Sequence, residues 1–174
     1  MKKVTVLLIA ILAIPMATIA GTIYTFHLDN SGFSVEFPSV PTITPMLMQH
    51  TEGVTFSATR AELQLRSVNG FIRAEVVPIE PGVATSLSDH EILSQSLAYA
   101  EQNGLNHPEA SIMPETHAKC VKLRAFKTLN NTNFTYENRA CYGHDTLIIL
   151  YAASPSSSFP PSVITRFFNS LSAH

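Results

Sequence analysis

Alternation of apolar and polar residues is first clear at Phe33. Phe33-Ser34-Val35-Glu36-Phe37 has a period of two, which predicts a half-buried strand. Pro38 ends it, and Pro41 and Pro45 predict an extended segment at a sheet edge. Val54 to Ser67 is β-compatible, with Val54, Phe56, Leu63 and Leu65 as core candidates. Asn69-Gly70 then suits the two positive-φ positions of a type I′ turn, and Phe71 to Ile79 is the return strand. A helix starts at Ser88, where Ser88-Asp89-His90-Glu91 has capping-box spacing. Ile92, Leu93, Leu97 and Ala100 form its apolar face, and Asn103-Gly104 stops it. Pro108 and Pro114 predict a loop after it.

His117 to Tyr151 predicts three strands. A turn centred on Asn130-Asn131 sets Cys120 opposite Cys141, Lys122 opposite Arg139 and Arg124 opposite Glu137. Val121, Leu123 and Ala125 then meet Ala140, Asn138 and Tyr136 on the other face. One face is charged and the other mostly apolar, so the charged face is expected to be wet. Glu137 is placed to soften the contact between Lys122 and Arg139. Leu147 to Ala152 reads as a central strand, and Pro160-Pro161 opens a last helix. Val163, Ile164, Phe167, Phe168 and Leu171 make that helix's buried stripe. Strands, a helix, three strands and a closing helix give an α+β fold, a mainly antiparallel sheet with packed helices.

Residues 1–20 follow a different pattern. Lys2 and Lys3 precede the uncharged apolar run Val4 to Ile14, Pro15 breaks it, and Thr18-Ile19-Ala20 supplies small residues at −3 and −1 of a cut before Gly21. This is the layout of a secretory signal peptide. The competing reading is a retained anchor, because no charged residue occurs from Val4 through Leu28. Cleavage leaves residues 21–174 as one α+β domain, periplasmic or secreted, with no stable membrane insertion. Removing Lys2 and Lys3 from the eleven basic residues leaves nine against thirteen acidic, a net charge near −4. With no basic block, nucleic acid is not an expected partner.

In an exported chain, two cysteines most often form one bridge, and the predicted register sets Cys120 against Cys141. The alternative on the same positions is zinc, held by His117, Cys120, Cys141 and His144. Against it, residues three apart on a strand point to opposite faces, and an oxidising compartment joins thiols first. His27, His50, His90, His107 and His174 stand in no ligand or triad spacing. No G-x-S-x-G, H-E-x-x-H, S-x-x-K, P-loop or G-x-G-x-x-G occurs, so no catalytic residue and no cofactor is indicated. Glu75 and Glu80 are read as one strand's acids, Glu91 and Glu101 as solvated helix positions.

Gly32-Phe33-Ser34-Val35-Glu36-Phe37-Pro38 and Phe167-Phe168-Asn169-Ser170-Leu171, with the order of elements between them, resemble the PsbP/Mog1-like family of small α/β sandwich domains. In that family an F-x-V-x-F/Y-P strand opens the sheet and the last helix ends in a similar F-x-x-S stretch. The resemblance implies a non-enzymatic binding or assembly domain and carries no catalytic motif onto these residues. The Cys120–Cys141 pair departs from it. The expected function is therefore an exported binding or assembly protein with an extracytoplasmic protein partner. Its expected contact surfaces are Pro38 to Met48 and the solvent face of the hairpin. Within the first, Met46, Leu47 and Met48 form an apolar cluster, expected to pack on the core, with a partner-binding patch as the alternative. Other readings are a carrier of a small apolar ligand, lined by Phe56, Leu97, Phe167 and Phe168, a secreted effector, and an enzyme with an unrecognised site.

Overall fold

A computed structural model describes residues 23–28, 32–49, 55–114 and 118–173. The predicted leader (residues 1–20), His50, Val54, His117 and His174 lie outside them. The strands are β1 (Tyr24–Leu28), β2 (Phe33–Phe37), β3 (Thr42–Gln49), β4 (Thr55–Leu65), β5 (Gly70–Pro78), β6 (Asn106–Met113), β7 (Lys119–Leu129), β8 (Thr132–Tyr142), β9 (Thr146–Pro155) and β10 (Ser172–Ala173). The helices are α1 (Val83–Ser86), α2 (Asp89–Gln102) and α3 (Ser162–Asn169). Seven strands form one antiparallel sheet in the order β3-β4-β5-β9-β8-β7-β6, and β1-β2-β10 form a second, small one. The fold is α+β and dominated by sheet.

Both faces of the large sheet are covered, by different elements. On one face Ile72, Ala74 and Val76 of β5 and Ile148, Leu150 and Ala152 of β9 are buried. They pack with Phe26, Val35 and Phe37 of the small sheet and with Ile164, Phe167 and Phe168 of α3. On the other face, Ile92 of α2 and Ala84 of α1 are buried with Val121 and Tyr142. Period-two strands supply one row of side chains to each core, and α3 caps one side while α1 and α2 cap the other. No helix among the described residues is long and apolar enough to cross a membrane.

Capping by Ser88 is as its spacing predicts. Ser88 Oγ accepts from the Glu91 amide at 3.3 Å, and the Glu91 carboxylate accepts from the Ser88 amide at 2.7 Å. The Ser88 side chain, then its backbone amide, hold the Glu91 carboxyl below its ordinary pKa. A depressed carboxyl stabilises the fold above its unfolded pKa, and that stabilisation is lost as pH falls through the folded value. Ser88→Ala removes the N-cap acceptor and should lower stability by about 0.5–2 kcal/mol. In urea melts at two pH values, the gap between wild type and variant should narrow on acidification. A constant gap would show that the Glu91 half of the box contributes nothing.

Three local expectations are corrected. Asn69-Gly70 is not a two-residue turn, because Leu65 pairs with Gly70 around a longer loop. Arg66–Val68 forms a 3-10 turn there, and Asn69 alone takes the left-handed conformation, at φ 48°. Gly70 is a strand residue, and glycine is required because a Cβ there would collide with the Ala153 carbonyl. The segment around Pro108 is not a loop but edge strand β6, whose register with β7 shifts between Asn106 and Glu109, where His107 has φ 48°. Proline is tolerated at an edge because its missing N–H leaves no ladder partner unsatisfied. Finally, the short helix α1 precedes the predicted first helix, started by Gly82 at φ 89°.

Candidate binding surfaces

Edge strand β3 is the first surface. Among the described residues it pairs with β4 alone, so no described strand meets its outer backbone groups, and Pro45 lacks a donor. Ile43 pairs with Ala61 and Leu47 with Ser57, so both side chains share the face that, at Ala61, belongs to the large core. That core takes residues from β4, β5 and β9 but none from β3 among those described. Both side chains are left in solvent, Ile43 46% exposed and Leu47 80%, and Val40, just before the strand, is 70% exposed. This corrects the expectation that Leu47 packs on the core. Met46 is half-buried, and the side chain of Met48 lies outside the described residues.

The opposite face of the same strands carries a ladder of charges that reading the sequence missed. Register pairs Arg60 with Glu75 and Glu62 with Arg73. Arg60 Nε donates to Glu75 at 2.7 Å, Arg73 Nη2 lies 2.6 Å from Glu62, and Arg73 Nη1 lies 3.6 Å from Glu75. The Arg73 guanidinium also sits 5.2 Å from the Phe71 ring centre and 5.7 Å from that of Tyr151. Burial, reinforced by neighbouring Tyr99 and Glu75, pushes the Tyr151 hydroxyl far above the ordinary phenol range. Two cations meet two carboxylates, so the ladder is self-neutralising. Beside it, Thr42, Thr44, Arg60, Glu62, Gln64 and Arg66 line an open hollow of about 500 Å³. Glu80 lies beyond the end of β5, so Glu75 and Glu80 do not share a strand.

The charged face of the β7–β8 hairpin is the second predicted surface. Its register is as predicted throughout, with Asn130 and Asn131 at φ 47° and 61°. Glu137 accepts from Arg139 Nε at 3.4 Å and forms an ion pair with Lys122 Nζ at 3.2 Å. The face is not the wet side, however. Glu137 is only 6% exposed, and the Arg139 guanidinium lies over the Phe168 ring of α3 at 4.5 Å. A covering helix, which strand alternation cannot reveal, accounts for the difference.

Cys120 and Cys141 are joined in a disulfide. Neither sulfur is then a thiolate for zinc, and His144 stands exposed beyond the strand end. No group of three or more metal-ligating side chains occurs among the described residues. His27, His90 and His107 are exposed. The predicted carrier pocket is not assembled, since Leu97 belongs to α2 on one face of the sheet and Phe167 and Phe168 to α3 on the other. The side chain of Phe56 lies outside the described residues. Between α2 and the sheet, Tyr99, Leu105, Tyr136 and Tyr151 border a notch of about 30 Å³, room for one water rather than a lipid chain.

No family model matches the sequence, and no curated protein matches it. Solved structures with a related arrangement include one from Bacteroides thetaiotaomicron, 13% identical over 82% of this chain, with a TM-score of 0.48. The chain spans only 45% of that protein's length. LpqN of Mycobacterium tuberculosis, involved in cell envelope biogenesis, is 9% identical, with 87% of this chain and 90% of that one covered and a TM-score of 0.43. PA94 of Pseudomonas aeruginosa, of unknown function, is 10% identical, with coverage of 80% and 88% and a TM-score of 0.39.

Proposed function

We propose that this is an exported, non-enzymatic binding or assembly protein of the PsbP/Mog1-like type, which takes a protein partner along edge strand β3. The observation that carries the reading is the exposure of Ile43 and Leu47 on β3 and of Val40 just before it, beside a strand edge that no described strand pairs. Large apolar side chains in water are favourable to cover, and an open edge supplies hydrogen bonds to an added strand. Backbone pairing gives affinity in that mode, and the alternate side chains choose the partner. The disulfide and the leader pattern support a site of action outside the cytoplasm.

The double variant Ile43→Lys/Leu47→Lys tests this. A photo-crosslinker at Val40, used in the native host, should give a discrete adduct that falls about tenfold in the variant, the loss expected from removing ~1.4 kcal/mol of contact. A crosslinker at exposed Ser94 on α2 should give none. Stability should stay within about 0.5 kcal/mol of wild type, as for surface positions. Equal adducts at both positions, or an unfolded variant, would reject β3 as the docking edge.

A further inference from the structure

The described residues hold two buried side-chain polar atoms without a hydrogen-bond partner, Arg124 Nε and Ser154 Oγ. They lie on the same face of the large sheet, one rung apart. Arg124 pairs with Glu137, which pairs with Ala152; the next rung is Phe126, Thr135 and Ser154. Directly paired residues share a face, and steps of two along a strand return to it. Buried polar groups are nearly always satisfied, so two such groups in one place call for a physical reason.

The Arg124 guanidinium is held by aromatic rings instead of by acids. Its centre lies 5.5 Å from the Phe159 ring centre and 5.9 Å from that of Phe126. Two carboxylates face it in register. Glu137 is taken up by Lys122 and Arg139, and Glu109 on β6 is exposed and makes no ion pair with it. Lys122, Arg124 and Arg139 thus outnumber the buried carboxylate of Glu137. Hydroxyls border the same rung, Thr135 Oγ1 lying 2.9 Å from Ser156 Oγ. A guanidinium fixed between rings, in a region of excess positive charge with donors uncommitted, is preorganised for a planar or tetrahedral oxyanion.

We infer that Arg124 anchors an oxyanion-binding site, on the side bordered by the Thr135 and Ser156 hydroxyls, for the carboxylate or phosphate group of a small acidic ligand. This site lies on β7 to β9, across the sheet from the free edge at β3, and stands apart from the partner-docking reading.

Arginine Nε–Hε correlation spectra test it directly. The Arg124 signal is assigned by its disappearance in Arg124→Lys. Inorganic phosphate and succinate are titrated separately into the wild-type protein, with sodium chloride matching the ionic strength. The expected result is a saturable shift of the Arg124 Nε–Hε signal and of the Ser156 amide with at least one of the two anions. The tighter-binding anion identifies the ligand group. Arg124→Lys should weaken binding about tenfold or more, the effect of one charge-assisted bidentate contact, while Arg66→Gln leaves it unchanged. Shifts no larger than those with chloride, or equal affinity in Arg124→Lys, would overturn the assignment. The wild-type titration decides the matter even if a variant folds poorly.

Discussion

Replacing Phe167 with alanine is expected to lower the unfolding free energy by about 3–5 kcal/mol. Its side chain is 1% exposed and sits where three elements meet. The ring centre lies 5.1 Å from that of Phe37 on β2 and 5.6 Å from that of Phe168, its neighbour on α3. The same core includes Ile72 and Ile148 of the large sheet. Helix α3 has eight residues, too few to be stable by itself in water, so its hold on the sheet is its packing. Removing the ring leaves a cavity that strands on both sides are too rigid to fill. A domain of this size has about 5–15 kcal/mol in all, so the variant would be marginal. Urea unfolding checks it: the midpoint should fall sharply with an unchanged slope. Thr165→Ala, exposed on the same helix, should change stability by no more than about 0.5 kcal/mol. A loss below about 1 kcal/mol at Phe167 would mean that α3 does not seal this core.

The contrast between the two hairpins shows what the residues disclosed and what they withheld. In β7–β8, two asparagines able to take positive φ, a change of polarity between faces and a cysteine pair all agree on one register. In β4–β5 only the Asn69-Gly70 dipeptide spoke, and it misled. A two-residue turn would set Leu65 opposite Ala74; it faces Gly70. That slip is an even number of residues, so inward and outward faces were kept while every cross-strand partner changed. The ladder of Arg60, Glu62, Arg73 and Glu75 was hidden for this reason alone, since its period-two charges are plain in the sequence. Strand β6 was missed because Pro108 suggested a break, and only sheet position makes proline acceptable there. The covered charged face has a different cause. Alternation distinguishes two faces but does not say which is covered, and here α3 reaches one and α2 the other. The Arg124 environment depends on Phe159, distant in sequence from β7, and no local pattern announces it.

Loss of the Cys120–Cys141 bridge is expected to cost about 3 kcal/mol, from the chain entropy released when a loop with sequence separation 21 opens. The bridge adds little to the folded hairpin, whose strands are already hydrogen-bonded from Lys119–Tyr142 to Leu129–Thr132. Its effect falls on the unfolded chain, which it keeps from expanding. Both residues are almost fully buried, so alanine is the cleaner replacement; serine would add a hydroxyl that needs a partner. The Cys120→Ala/Cys141→Ala protein should fold, with its urea midpoint lowered. Reductant should lower the wild-type midpoint similarly and leave the variant's unchanged. Thiol titration of denatured protein should find two groups after reduction and none before. A loss below about 1 kcal/mol would show that the unfolded chain keeps the hairpin's ends close without the bridge. A loss near the full value makes stability depend on the redox state of the surroundings. A domain carrying that dependence is best matched to an oxidising compartment, which is also where the leader pattern would send it.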